Sequence, residues 1–316
     1  MAVTFVQTAV DLSVDLGPLR LPNPVTLASG TCGYGVELSD FLDLRRLGGV
    51  FTKGLTLLPR AGNAPERIAE SPSGLINRIG LQNVGVDAFL SAKLPALAAF
   101  NVPVIANVAG ATIDEYVMIV ETLAEAVGLA AIELNVSCPN VDCGGIEFGV
   151  DAGRLAELVS AVRPRTPLPL IVKLTPNVTD IGEMARPAES AGADVLSAIN
   201  TVTGLSVSPR LQDGRLSPTT TVRGGLSGPA IKPIALRCVW QAAQACRLPI
   251  IGIGGISSLD DMLAFFAVGA SAIQIGTATF IEPGIGGRLT ADLAEWLAAQ
   301  GISRFAEVLP AREVQG

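Results

Sequence analysis

Short runs rich in Val, Ile and Leu alternate with longer segments whose apolar residues recur every three or four positions, and the alternation persists along the chain. Buried parallel strands read as continuous apolar runs and their crossovers as amphipathic helices, so the pattern predicts a parallel sheet covered by helices. Eight runs qualify as strands: 24–30 (PVTLASG), 48–54 (GGVFTKG), 103–110 (PVIANVAG), 130–140 (AAIELNVSCPN), 169–176 (PLIVKLTP), 193–202 (ADVLSAINTV), 249–256 (PIIGIGGI) and 272–280 (AIQIGTATF). Eight such units predict an α/β fold of the (β/α)8 TIM-barrel type, with residues 1–316 as a single domain. An open doubly wound sheet would need G-x-G-x-x-G after an early strand, whereas GIGGIS comes late with the wrong spacing.

Between the strands, Thr112 followed by Glu115 reads as a capping box, and Ile113, Val117, Val120, Ala124 and Val127 repeat at helical spacing up to Gly128. Comparable helices are expected over 85–99, 152–163, 180–191, 229–246, 258–268 and 286–300, with a weaker one over 37–47. Near Ser257 and Ser258, Asp260 and Asp261 read as ordinary helix capping. VDLSVDLGPLRLPNP reads as an N-terminal hairpin capping the barrel bottom. Residues 55–84 and 203–227 interrupt the alternation as long insertions without obvious structure, the kind of loop that forms a lid or a binding site.

A barrel of this type places its chemistry at the C-terminal ends of its strands. Those ends carry Ser29 and Gly30, Thr52 and Lys53, Asn107, Asn135 with Cys138 and Asn140, Lys173, Asn200 with Thr201, Gly254 with Gly255, and Gly276 with Thr277. Lys173 lies in LPLIVKLTP, where an unpaired ammonium is costly. It must reach the open mouth or a buried anion, a structural salt bridge being the plainer choice, and Lys53 in VFTKGLT poses the same alternative. The glycines of GIGG and QIGTA are placed where barrels cradle a phosphate, although tight βα turns use glycine too. A single strand-end Asn is usually a turn former; Asn77, Asn83, Asn107, Asn135, Asn140 and Asn200 around one mouth favour a planar ligand with N–H and C=O edges.

Composition narrows the chemistry. Hydrophobic residues make up 49% and charged ones 16%, enough apolar surface for a large core. A net charge of -7 argues against non-specific nucleic-acid binding but not against a small anionic substrate. With no histidine, Ser-His-Asp catalysis, Cys-His pairs and His metal sites are excluded. Five cysteines without a C-x-x-C pair indicate neither a disulfide framework nor a metal site, and a reducing cytoplasm is expected. No secretory signal and no membrane span is expected from the N-terminal residues or the apolar runs. Cys138, just past a strand end and ahead of Pro139 and DCGGIEFG, is either a small buried hydrophobe or an exposed thiol activated by a cation, a hydrogen bond or a cofactor. Cys143 competes with it; Cys32, Cys238 and Cys246 read as structural.

NVSCPN, GLINRIGLQNVGVD, INTVTG, GGLSGPAIKPIAL and PIIGIGGI together resemble the dihydroorotate dehydrogenase family, from about residue 12 to 285. The chain departs from the family pattern in reading GIGGI for GMGGI and NVAG for NVSG, and in lacking the histidine common after CPNV. The resemblance implies an FMN barrel that oxidises dihydroorotate to orotate in pyrimidine biosynthesis. A cysteine in the base position looks like class 1, and CPNVDCGGIEFG with the GGLSGPAIKP segment looks like class 1B. Members of that class form a homodimer flanked by two partner subunits bearing FAD and an iron-sulfur cluster, which pass electrons to NAD.

Carried onto this sequence, the resemblance makes Cys138 the general base at dihydroorotate C5, with hydride leaving C6 for FMN. It assigns substrate contacts to Lys53, Asn77, Ile79, Gly80 and Leu81, with Asn135, Asn200 and Thr201. Flavin contacts fall to Ser29, Thr52, Lys53, Asn107, Asn135, Lys173 and Ile199, and further to Gly228, Gly254, Gly255, Gly276 and Thr277, the last four around the phosphate. A fumarate-dependent class 1A dehydrogenase, a dihydrouridine synthase, and a barrel that has lost its flavin and serves only as an interaction partner are the rivals. The acidic balance argues against the tRNA that the synthase must hold.

Overall fold

The computed structural model describes residues 10–137, 139–140 and 146–311. Eight parallel strands close into a barrel in sequence order: β1 (Val25–Leu27), β2 (Gly49–Phe51), β3 (Val104–Val108), β4 (Ala131–Asn135), β5 (Leu170–Leu174), β6 (Val195–Ala198), β7 (Ile250–Ile253) and β8 (Ala272–Ile275), with β8 paired to β1. Every residue of β3, β5, β6, β7 and β8 is buried, because helices cover the outside while side chains fill the interior. The expected (β/α)8 barrel is therefore the fold.

The helices follow the sequence pattern with informative exceptions. Ile113–Ala124 buries Tyr116, Ile119, Val120 and Leu123, whereas Val127 is 96% exposed, because the helix stops before that position. Thr112 Oγ1 accepts from Glu115 N–H, but Glu115 Oε2 accepts from Ala111 N–H, one residue ahead of a true box. The reciprocal capping box belongs instead to Ser258 and Asp261. Over 37–47 no α-helix forms: the Asp43 carboxylate accepts from Arg45 N–H and Ser39 Oγ donates to Val36 O, diverting the backbone into two short turns.

At the barrel bottom Val14–Leu16 pairs with Leu19–Leu21, burying Val14, Leu16, Leu19 and Leu21, and Gly17 lies against Asp194 O at the entry to β6. The expected N-terminal hairpin is present there. Several strands end earlier than expected. β4 stops at Asn135, and Pro139–Asn140 pairs separately with Ile146–Glu147. After β8 the chain turns into a 3-10 turn, Thr277–Phe280, closed by Thr279 Oγ1 donating to Gly276 O.

The two insertions are not irregular loops. Val202–Gln212 and Arg215–Ser227 form a long antiparallel hairpin that pairs with Gly74–Asn77, which pairs with Ile68–Ser71. Together they make one four-stranded sheet over the barrel mouth. Asp213-Gly214, with φ of 50 and 72°, supplies the two left-handed residues that a tight hairpin turn requires.

Candidate active site

Between the barrel mouth and this sheet lies a cavity of about 610 Å³, within the range of small-molecule sites. Strand ends form its floor: Ser29, Lys53, Asn107, Asn135, Lys173 and Ile199 all line it, as do Asn200, Thr201, Gly276 and Thr277. Asn77, at the end of the sheet strand Gly74–Asn77, and Ile79, Gly80 and Leu81 just after it line the cavity as well. Thr52, Gly228, Gly254 and Gly255 stand behind the lining. Thr52 Oγ1 accepts from Asn107 N–H. Gly228 lies beside Thr277, and a side chain beginning at Gly255 would come within 3.0 Å of Gly228 O and 2.8 Å of Lys232 Cβ, so that turn demands glycine. Cys138 and Cys143 lie outside the described residues; Ser137, immediately before Cys138, lines the cavity.

Lys173 is only 6% exposed, and among the described residues neither it nor Lys53 has a carboxylate within 4.0 Å. The structural salt bridge weighed for both lysines is therefore absent among those residues, and both lysines line the cavity. Burial pushes Lys53 below the ordinary lysine range, and the Lys173 charge adds to the effect, partly offset by Cys32. Cys32 is a structural thiol: it is buried, Sγ donates to Ala28 O and Phe51 O, and burial pushes its pKa up to about 12.

Polar side chains between the lysines are held in place. Asn200 Nδ2 donates to Asn135 Oδ1 and Ser137 Oγ, both at 3.0 Å, while Asn200 Oδ1 accepts from Thr201 N–H. Tyr116 Oη donates to Asn135 O at 2.6 Å. Above them Asn77 Nδ2 donates to Gly225 O, and Thr277 Oγ1 donates to Ser227 Oγ, tying the sheet to the end of β8.

Sequence reasoning missed four charged or acidic-binding features. Arg78 and Arg223 join the lysines on the lining, where Glu147 is the lone carboxylate among the described residues. Burial raises the Glu147 pKa, and its Oε2 has no hydrogen-bond partner among the described residues. The fourth is Glu133, fully buried inside the barrel, where its carboxylate accepts from Asn107 Nδ2 (2.6 Å), Ser197 Oγ (2.6 Å) and Gln274 Nε2 (3.1 Å). A Glu inside AAIELN was the available signal, because a carboxylate in an apolar strand must find donors.

The arrangement suits an anionic, planar ligand. Among the described residues the lining carries four cations and one carboxylate, and Asn107 Oδ1 receives no donor from them. A phosphorylated flavin fits this donor set: the cations suit its charge, the amides its ring edge, and the glycine turns behind Thr277 leave room for backbone to approach a phosphate.

The sequence model of the family described as dihydroorotate dehydrogenase matches residues 11–297. A protein of Trichlorobacter lovleyi named dihydroorotate dehydrogenase B (NAD(+)), catalytic subunit, is 51% identical over 302 residues, covering 96% of this chain and 98% of that protein. Proteins with the same name from Geotalea daltonii and Geobacter sulfurreducens are each 50% identical over 304 residues, covering 96% of this chain and 99% of theirs.

Proposed function

The chain belongs to the dihydroorotate dehydrogenase family, and from this premise we propose that it oxidises (S)-dihydroorotate to orotate as the FMN-bearing catalytic subunit of a class 1B enzyme. The reading is carried by one observation: a buried lysine, Lys173, and a half-buried one, Lys53, neither with a carboxylate partner among the described residues, line one cavity with a hydrogen-bonded set of asparagine amides.

FMN, when bound, supplies the hydride acceptor for the substrate's C6–H. Lys173 and Asn107 would hold the ring, with Ser29, Thr52, Ile199 and Gly228 as further flavin contacts; Gly254, Gly255, Gly276 and Thr277 would hold the phosphate end. Lys173 would supply a fixed positive charge to stabilise the negative charge that the ring gains on reduction. Lys53, Asn77, Asn135, Asn200 and Thr201, with the backbone of Ile79, Gly80 and Leu81, orient the pyrimidine and its carboxylate. Cys138 takes the proton from C5. The family resemblance assigns that role to Cys138, which follows the cavity-lining Ser137 in sequence, and neighbouring cations favour the thiolate that a thiol base requires.

The class 1B reading also implies a partner subunit with FAD and an iron-sulfur cluster that delivers electrons to NAD, a homodimer of this chain, and work in the cytoplasm. No helix among the described residues is long and apolar enough to cross a membrane. The word NAD(+) in the relatives' names supports this acceptor over the fumarate of class 1A. Fumarate and NAD assayed with and without a co-purified subunit separate the two.

An anaerobic spectrum tests the whole reading. The purified chain should show bound flavin that bleaches on adding dihydroorotate, and Cys138→Ala should keep the flavin but bleach on the order of 10²–10⁴-fold more slowly. A colourless protein that takes up no FMN, or a variant that bleaches at the wild-type rate, refutes the cofactor and the base respectively.

A further inference from the structure

Glu133 is not part of the cavity lining and, among the described residues, has no cation within 4.0 Å, yet it lies buried inside the barrel with donors from three other strands converging on it: Asn107 from β3, Ser197 from β6 and Gln274 from β8. A carboxylate accepts and an amide has one end of each kind. The 2.6 Å contact therefore selects which end of Asn107 turns inward: Nδ2 faces Glu133, and Oδ1 is left to the floor, 2.9 Å from where a side chain at Gly54 would begin. The Asn107 main chain is pinned as well, its N–H donating to Thr52 Oγ1 and its carbonyl accepting from Leu55 N–H. Gln274 shows the same compulsion. Its Nε2 donates to Glu133 while its buried Oε1 has no donor among the described residues, the arrangement expected where a carboxylate dictates the polarity of its neighbours.

We propose that Glu133 is the positioning residue of the flavin floor: by holding Asn107 Nδ2 it turns Asn107 Oδ1 towards the ligand, so the ring edge read there is an N–H donor. The proposal rests on the FMN reading above. The pyrimidine end of a flavin ring carries one N–H between two carbonyls, and an Asn107 free to flip would meet that N–H with its own donor.

Glu133→Gln, close in shape but able to donate, removes the compulsion. Apoprotein of the full chain is titrated by flavin fluorescence with FMN and with 3-methyl-FMN, in which the N–H is gone. Glu133→Gln should weaken FMN binding roughly tenfold and leave 3-methyl-FMN within about threefold of wild type, because only the unmethylated ring has a bond to lose. Equal weakening of both flavins, or unchanged FMN binding, overturns the proposal. Wild-type protein that binds neither flavin overturns the FMN reading together with it, whereas wild type that binds FMN confines any failure to Glu133. Should Glu133→Gln fail to fold, Glu133→Asp, one methylene too short to reach Nδ2, is read by the same two titrations.

Discussion

On the cavity floor Lys173 is 6% exposed, with Glu133 fully buried beneath and Asn107, Asn135 and Asn200 held by hydrogen bonds; the hairpin Val202–Ser227 instead leaves Leu205, Leu211 and Leu216 at 57, 71 and 79% exposure. The floor is made of side chains set in a barrel whose strands are buried on both faces. The roof is made of backbone ladders with few apolar contacts beneath them, joined to the barrel by contacts such as Thr277 Oγ1 to Ser227 Oγ and Thr203 N–H to Asn177 Oδ1. Elements with little buried apolar area and solvent-facing hydrogen bonds open at low free energy, while barrel strands open only with the whole domain. A preset floor suits a group that stays bound through many turnovers, and a lightly tied roof suits a substrate that must come and go.

The sharpest way to break this division is Lys173→Ala. If the floor holds the flavin, losing a buried charged hydrogen bond costs about 1.5–3 kcal/mol, and FMN affinity measured by fluorescence should fall roughly 10- to 100-fold. Secondary structure by circular dichroism should be unchanged, because no carboxylate within 4.0 Å among the described residues is left unpaired. Wild-type FMN affinity would show that the floor does not hold it.

A smaller effect follows from Lys53. Burial holds its pKa below the ordinary lysine range, so it loses its proton at lower pH than an exposed lysine. For stability the sign is that of a disfavoured charge: between the folded and unfolded pKa values the unfolded chain binds more protons, so Lys53 penalises folding at neutral pH and the penalty eases as pH rises. For an anionic substrate the sign is reversed, since the attracting charge disappears on that same rise. KM for dihydroorotate should climb several-fold on the alkaline side, starting below the pH at which an exposed lysine titrates, while FMN stays bound. Lys53→Arg, which keeps its charge, should flatten the climb; an unchanged profile would separate Lys53 from substrate binding.

The floor was legible in the sequence and the roof was not, for physical reasons. Barrel strands announce themselves as continuous apolar runs, and the architecture then says which end carries chemistry, so Lys53, Asn107, Asn135, Lys173 and Asn200 could be named before any coordinates. The roof strands are half-exposed and rich in Ser, Thr, Pro and Gly, a composition that reads as loop. The Asp213-Gly214 turn between alternating segments was the available signal. Pairing of residues 75–77 with 225–227 is a contact across about 150 positions, which no local pattern encodes. Glu133 was missed for another reason: its role lies in three partners from distant strands.

The finest test of the division is Gly214→Ala at the hairpin tip. Gly214 has φ of 72° and nothing within 4 Å of an added side chain, so the substitution acts only through backbone strain, at a cost of about 1 kcal/mol. If the roof opens independently, that cost should raise amide hydrogen exchange about fivefold along 205–222, leaving exchange in β3 and β5 as in wild type. FMN affinity should not change, since the tip touches no floor residue, and KM should move by less than a factor of two. Should Gly214→Ala loosen FMN, or speed exchange in the barrel strands to the same degree, roof and floor would be one cooperative unit, and the exposed sheet would then have to be counted among the elements that hold the flavin.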